Sequence, residues 1–179
     1  KRPPMLGAGA GGANAAAAGG HLETLKWLQQ KDISCNNDGT RAAAEKGHLN
    51  VLQWLHRQNI RFDIMTLRFA ADRGHLEVLK WLHQQGITCD TLGARNAAAS
   101  GHLPVLQWLH QQDIRCNTDG ADTAAMHGQY EIVRWLHQVG VHCTSDGANE
   151  AARRGHVLLV LWLSEHGVQC SSSVLRDMS

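Results

Sequence analysis

The sequence predicts an all-α solenoid of about six tandem helix–loop–helix repeats. Tryptophan recurs every 27 residues, and a glycine precedes each tryptophan by seven positions. A fixed period of about 20–50 residues is typical of repeat architectures, in which each unit packs only against its neighbours. The tryptophans are Trp27, Trp54, Trp81, Trp108, Trp135 and Trp162, and the glycines are Gly20, Gly47, Gly74, Gly101, Gly128 and Gly155.

Residues 87–113 illustrate the first helix of a repeat. Asp90 is a suitable N-cap because its carboxylate can accept an otherwise unpaired backbone N–H. An alanine-rich run ends at Gly101, where a helix needs a residue in the left-handed conformation. Since alanine lets two backbones approach closely, we expect the first helices to press against one another. The other repeats place capping residues in the column of Asp90, namely Asn36, Asp63, Asn117, Thr144 and Ser171.

The second helix of the same repeat is predicted from about His102 to Gln112. Pro104 is tolerated because it falls in the first turn, and the broad apolar stripe is typical of a helix packed on two sides. A second column of residues that readily adopt the left-handed conformation follows this helix: Asp32, Asn59, Gly86, Asp113, Gly140 and Gly167. Only three or four residues then remain before the next N-cap, which leaves no room for a β-hairpin.

Two segments carry a resemblance to a known family. "AADRGHLEVLKWLHQQG" and "AAASGHLPVLQWLHQQD" resemble the ankyrin repeat, and six tandem copies extend the resemblance over nearly the whole chain. It implies a curved helical solenoid used for protein–protein contact. The chain departs from the ankyrin pattern in its period, 27 residues instead of about 33. It also lacks the "TPLH" box, whose places hold "DGTR" and "LGAR".

The repeats divide the chain into three parts. Residues 1–5 are expected to form a flexible N-terminal tail, and residues 6–170 the repeat array, with residues 168–179 as a partial repeat or cap at its end. The individual repeats are predicted at about 6–32, 33–59, 60–86, 87–113, 114–140 and 141–167. Because the chain starts with Lys1 and not with Met, we expect a processed or truncated product.

Charge and hydropathy exclude several classes of protein. The 17 Lys and Arg residues against 16 Asp and Glu give a net charge of +1, whereas a protein that coats nucleic acid or membrane needs a clear basic excess. No run approaches the roughly 20 apolar residues of a membrane span, so we expect no membrane insertion.

The five cysteines follow the repeat and do not indicate disulfides. Equivalent positions in stacked helices lie about 8–10 Å apart, beyond the roughly 7 Å between Cα atoms that a disulfide allows. We therefore expect reduced core thiols and an intracellular, reducing location, cytoplasmic by default; an Ala/Gly-rich start keeps import into an organelle as the alternative. The column contains Cys35, Cys89, Cys116, Cys143 and Cys170, with Phe62 in the remaining place.

Histidine and tryptophan also recur at framework positions. The two histidine columns lie at opposite ends of the second helix, too far apart to share a metal ion whose bonds to nitrogen are about 2 Å long. We expect no metal, no cofactor and no small-molecule substrate, and the absence of a phosphate-binding loop in a strand context argues against an enzyme. The tryptophan column is predicted to be core.

One polar column is the candidate binding site. Its members precede each alanine pair by two residues: Asn14, Arg41, Arg68, Arg95, Asp122, Asn149 and Arg176. The consecutive arginines have two interpretations. Each guanidinium either bonds to carbonyls of the next loop, or contributes to a basic strip that takes an acidic peptide or phosphates.

Partner specificity is expected at first-helix positions that vary between repeats. The candidates, besides Arg41, Arg68, Arg95, Asp122 and Asn149, are Thr40, Leu67, Glu45, Asp72, Met126 and Arg153. The sequence thus predicts a non-enzymatic protein-interaction scaffold whose partner lies along the first helices. The alternative is an accessory subunit of a large ribonucleoprotein or organellar complex, in which the arginines contact RNA phosphate.

Overall fold

The computed structural model describes residues 10–171, which contain twelve α-helices and no strand. The expected tail, the start of the first repeat, the partial repeat after Ser171 and Arg176 lie outside these residues. The helices are α1 (Ala10–Ala18), α2 (Leu22–Gln29), α3 (Asn37–Glu45), α4 (Leu49–Arg57), α5 (Ile64–Asp72), α6 (Leu76–Gln84), α7 (Thr91–Ala99), α8 (Leu103–Gln111), α9 (Thr118–Met126), α10 (Tyr130–Gln138), α11 (Ser145–Arg153) and α12 (Val157–Glu165). The prediction of an all-α repeat fold is confirmed.

The helices fall into two compact units, Lys1–Thr88 and Cys89–Ser179. In the first unit α1 packs against α3 and α3 against α5, and in the second α7 packs against α9 and α9 against α11. Each first helix also packs against the second helix that follows it, as α3 does against α4. No helix among residues 10–171 has the length and hydropathy needed to cross a bilayer.

The predicted caps begin the first helices. The Asp63 carboxylate accepts the backbone N–H of Thr66 at 3.1 Å, and Asn117 accepts the N–H of Gly120 at 3.0 Å. Asn36, Asp90 and Thr144 cap α3, α7 and α11 in the same way. Because these bonds satisfy N–H groups that no carbonyl of the helix can reach, they determine where each first helix begins.

Small residues form the face that the first helices share. An alanine pair is buried in each of them: Ala16 and Ala17, Ala43 and Ala44, Ala70 and Ala71, Ala97 and Ala98, Ala124 and Ala125, and Ala151 and Ala152. Gly39 and Gly120 are also buried, and a Cβ atom at either position would collide with the sulfur of Cys35 or Cys116. The thiol thus occupies the volume that glycine leaves empty.

The five thiols are free, and four of them are buried. The Cys143 thiol donates to the carbonyl of Ala121 at 3.2 Å, in the first helix of the preceding repeat. Burial raises the pKa of Cys35 and of Cys116 to about 11, and that of Cys143 to about 12. The cysteines are therefore neutral packing groups at physiological pH.

The tryptophans are not core residues, so that prediction is wrong. Trp27 is 56% exposed and the other five are half-buried. Within a unit the indole packs edge-on against a histidine of the preceding repeat, with ring centroids 5.6 Å apart for Trp81 and His56 and 5.5 Å apart for Trp135 and His110. The core between the helices is aliphatic instead, as with Val51, Leu52 and Leu55 of α4.

A histidine that contacts a glycine closes the first helices α1, α3 and α9. Nε2 of His75 lies 2.8 Å from the carbonyl oxygen of Glu45, thirty residues earlier, and can donate to it. The imidazole passes so close to Gly47 that an added Cβ would lie 2.6 Å from its Nδ1 atom. Gln129, in the same column, donates to the carbonyl of Ala99 at 3.1 Å. The side chain that opens one second helix therefore caps the first helix of the preceding repeat.

A comparison of two glycines separates the stability cost of a positive φ from the cost of losing the contact with the histidine ring. Gly47 and Gly86 both have positive φ, 74° and 79°. Because only Gly47 lies against a ring, we expect Gly86→Ala to lower the free energy of unfolding by about 1–2 kcal/mol. Gly47→Ala should cost about 1 kcal/mol more, since it also displaces the His75 hydrogen bond. Urea unfolding of both variants measures the difference, and equal losses would contradict a role for the ring contact.

Candidate functional site

The polar column of the first helices reaches forward to the N-cap of the next first helix. In α3, Arg41 directs its guanidinium at Asp63, with Nε 3.0 Å from Oδ2 and a second, shorter contact from a terminal nitrogen. Asp63 is the residue that caps α5. One carboxylate therefore begins a helix and binds the preceding repeat at the same time.

The other polar members of the column make the same contact with different chemistry. Asn14 donates to the Asn36 side chain at 2.7 Å, and Asp122 accepts the hydroxyl and the backbone N–H of Thr144, both at 2.7 Å. Asn149 accepts the backbone N–H of Ser171 at 2.8 Å. Each pair is separated by 22 residues, and in each pair the side chain of the column residue binds either the side chain or the backbone N–H of the next N-cap residue.

The arginines are correspondingly not an unpaired basic strip. Nε of Arg95 lies 3.2 Å from the Thr123 hydroxyl and 3.2 Å from a carboxylate oxygen of Asp119, both in α9. Arg68 places a guanidinium nitrogen 3.6 Å from the sulfur of Met65. The interpretation of the column as an inter-repeat link is the better one, but for Arg41 and Arg95 the partners are side chains of the next first helix and not loop carbonyls.

The Arg41 contact has an electrostatic consequence for its partner. The hydrogen bonds from Arg41 hold the pKa of Asp63 below its ordinary value, although partial burial acts in the opposite direction. The same pairing raises the pKa of the Arg41 guanidinium. Both groups are therefore charged throughout the physiological range.

Two of the expected partner-binding residues are in the core. Thr40 and Leu67 are both buried, and the Thr40 hydroxyl donates to the carbonyl of Asn37 at 2.9 Å. A side chain at this position points into the stack of first helices. The expectation that Thr40 and Leu67 contact a partner is therefore wrong for the folded chain.

The remaining variable positions lie at the surface. Glu45 is bound by Arg73 at 2.8 Å, Asp72 lies 3.6 Å from the same arginine, and Met126 is half-buried in α9. Arg153 is exposed and pairs with Glu150 of its own helix. We use the term first-helix surface for the exposed side of the first helices within each unit, α3 and α5 in the first unit and α7, α9 and α11 in the second.

The structure also shows a surface cluster that sequence reasoning missed. In α5, Met65, Arg68 and Phe69 are half-buried and Ile64 is exposed. The same positions of α3 hold Asp38 and Ala42. The change from polar or small to large apolar residues is visible in an alignment of the repeats, but which helix positions face solvent is not.

Histidines concentrate at the end of the second unit. Nδ1 of His137 lies 2.9 Å from Nδ1 of His142, and the ring of His166 is 5.1 Å from that of His137 and stacks on Trp162. Burial lowers the pKa of His137, and His142 and His166 lower it further. No group of three or more His, Cys, Asp or Glu side chains within residues 10–171 is arranged to hold a metal ion.

Comparison with known proteins identifies similar repeats. The family model described as "Ankyrin repeats (many copies)" matches residues 40–83, 67–110 and 94–137, which together span more than half of the chain. The crystal structure of the human ASB11 ankyrin repeat domain is similar, with a TM-score of 0.71 and 17% sequence identity over 94% of this chain and 85% of that one. At this identity the likeness shows the fold alone. A search of curated proteins finds no match.

The Arg41–Asp63 pair makes a prediction about pH. A carboxyl group whose pKa is lowered by folding stabilises the fold above its ordinary pKa, and that contribution is lost as the pH falls through the folded pKa. Arg41→Gln should raise the pKa of Asp63 towards about 3.9, as measured by carbon-detected NMR titration. Arg57→Gln, an exposed arginine with no contact to Asp63, is the control. An unchanged Asp63 pKa in Arg41→Gln would show that the pair does not form in solution.

The histidine cluster predicts a loss of stability on acidification that begins at a higher pH. Because the folded pKa of His137 lies below the ordinary value of about 6.5, folding favours the neutral ring, and this stability declines as the pH falls below about 6.5. His142→Gln should raise the pKa of His137 because it removes a neighbouring imidazole. Proton NMR titration measures the shift, and His21→Gln in the other unit should leave His137 unaffected. A His137 pKa at or above 6.5 in the unaltered protein contradicts the cluster.

Proposed function

Because the chain belongs to the ankyrin-repeat family, we propose that it is a non-enzymatic protein-interaction scaffold whose partner binds along the first-helix surface. Ankyrin repeats generally mediate protein–protein interactions. The stacked helices present a regular row of exposed positions, so that changes at those positions alter the binding surface without altering the framework.

The apolar cluster around Arg68 on α5 is the main support for this proposal. A guanidinium nitrogen of Arg68 lies 3.6 Å from the Met65 sulfur, Phe69 lies one turn after Met65 on the same helix, and Ile64 is exposed. Arginine and large apolar side chains grouped together are typical of residues that dominate binding energy at protein interfaces. We propose that this cluster anchors the partner.

The change of charge along the first helices of the second unit favours a partner whose own charges vary along its length. The polar column changes there from Arg95 in α7 to Asp122 in α9 and Asn149 in α11. Exposed Asp119 and Asp146 add negative charge to α9 and α11. A protein segment that carries both acidic and basic groups would match this gradient, and electrostatic complementarity of that kind selects partners more than it strengthens binding.

The RNA alternative finds less support. Arg41 is paired with Asp63, and Arg95 lies beside Asp119, so a phosphate would have to displace a carboxylate to gain either guanidinium. A net charge of +1 supplies no compensating field. The five free thiols, four of them buried, are compatible with a reducing compartment, and we propose an intracellular location for the scaffold.

Charge reversal on the first-helix surface tests the proposal. Arg68→Glu and Arg95→Glu should each weaken partner binding at least roughly tenfold, equivalent to about 1.4 kcal/mol, while circular dichroism shows unchanged helicity. The measurement is calorimetric titration with the partner identified by co-purification from native extract. Lys80→Glu, an equal charge change on a second helix, should leave affinity unchanged.

Two results would contradict the proposal. If Arg68→Glu and Arg95→Glu bind as tightly as the unaltered protein, the partner does not lie along the first helices. If the co-purifying species is RNA and its affinity falls steeply with salt concentration, as counterion release requires, the ribonucleoprotein alternative replaces the scaffold.

A further inference from the structure

The last second helix breaks the surface pattern of the others. Leu158 and Leu161 of α12 occupy two outward positions that carry ion pairs in three of the other second helices, such as Glu77 and Lys80 of α6, whose charged atoms are 2.8 Å apart. The residues at these positions in the remaining second helices are Glu23 and Lys26, Asn50 and Gln53, Pro104 and Gln107, and Glu131 and Arg134. Only α12 has two leucines there.

These leucines are open to solvent. Leu158 is 79% exposed, Leu161 57% and the neighbouring Val157 49%. Large apolar side chains grouped at a surface are typical of an interaction site. We call Val157, Leu158 and Leu161 the α12 ridge.

A further repeat stacked after α12 would not cover the two leucines. The equivalents of Leu158 in α2 and α10 are Glu23 and Glu131, and each is followed by another repeat in the same unit, yet their side chains remain 84% and 69% exposed. The equivalents of Leu161 in these helices, Lys26 and Arg134, remain 43% and 52% exposed. Stacking buries other sides of a second helix. What covers the α12 ridge must therefore approach from the outer side of the second helices.

The surface beside the ridge is complementary to the ridge itself. A groove of about 870 Å³ runs along it and is lined by Tyr130, Gly155, Trp162 and the two leucines. A two-fold axis would place the ridge of each copy in the groove of the other, since such an interface joins identical patches. Packing of a ridge into a groove is the usual geometry of helix pairs.

Charge at the two ends of the ridge is complementary in the same orientation. Glu165 is the last residue of α12, and Arg154 is the C-cap of α11, directly before the Gly155 turn that leads into α12. An antiparallel pair that sets Leu158 against Leu161 of the second copy brings the end of one α12 beside the start of the other, and so brings Glu165 to the turn that carries Arg154 of that copy. Both side chains are exposed, and neither forms an ion pair with the part of the chain that the structure describes.

We propose that a second copy of this chain packs on the α12 ridge, forming an antiparallel homodimer with the leucines at its centre and two Arg154–Glu165 pairs at its ends. The contact is far smaller than the roughly 20–30 residues per side of a standard interface. The dimer is therefore weak, with a dissociation constant on the order of 10–500 µM.

Sedimentation equilibrium of the full chain from about 10 µM to about 1 mM tests the proposal. The weight-average mass should rise from 19.6 kDa towards twice that value. The double variant Leu158→Glu, Leu161→Lys recreates the ion pair of α6, so it should fold. It should stay monomeric over the same range, which corresponds to at least roughly tenfold weaker association. Glu77→Gln with Lys80→Gln, the same positions of α6, should dimerise like the unaltered protein.

A charge exchange tests the orientation. Arg154→Glu and Glu165→Arg should each weaken the dimer, and the combined variant should restore it. A protein that is monomeric up to about 1 mM overturns the proposal, as does a Leu158→Glu, Leu161→Lys variant that dimerises normally. Failure of the combined variant to restore association overturns the antiparallel arrangement.

Discussion

Neighbouring first helices lie close together, and the face that they share consists mainly of alanine and glycine. At Gly39 and Gly120 even a Cβ atom would meet the sulfur of a cysteine. The third repeat shows that the two positions are coupled. It has Phe62 in the cysteine column and Thr66 in the glycine column, and the Phe62 ring packs between His56 and Trp81. Removal of the thiol from this space is what makes room for the buried Thr66 side chain.

Close approach also determines which polar groups are left for binding. Helix ends brought next to one another have unpaired N–H and C=O groups that water cannot freely reach. Side chains from the adjacent repeat satisfy them: His75 caps the end of α3, while Arg41 binds the residue that caps the start of α5. The arginines of the candidate site are thus largely committed to the framework. The binding positions that we propose are instead the apolar residues near Arg68, namely Met65 and Phe69.

The same framework explains why α12 is unusual. A second helix needs apolar residues only where it meets its own first helix and the neighbouring repeats, and Leu159, Val160 and Leu163 fulfil that need in α12. Leu158 and Leu161 do not face these neighbours, so packing within the array does not require them to be apolar. The equivalent positions of the other second helices show that stacking does not cover this side of the helix. Glu23 and Glu131 stay exposed although another repeat packs after each of them.

Much of the fold could be predicted from interactions within a single helix or turn. Asp63 and Asn117 were identified as caps because a side-chain oxygen can reach the first turn of its own helix. Asp32, Asn59 and Asp113 were identified as helix ends because their backbone tolerates positive φ, and all three have it. Thr40, Leu67 and the tryptophans were misassigned for a common reason. The period of 27 residues aligns equivalent positions but does not say which side of a helix faces its neighbour.

Local sequence patterns were therefore enough to predict two helices per repeat and where they end, since turns and caps depend on residues a few positions apart. The stacking of the helices was needed to show that Arg41 faces Asp63 and that Thr40 and Leu67 are buried. It was also needed to show that Met65 and Phe69 are half-buried and that Leu158 and Leu161 of α12 are exposed. Those contacts join residues 22 to 30 positions apart. Their partners are set by the angle and distance between stacked helices, which no single repeat encodes.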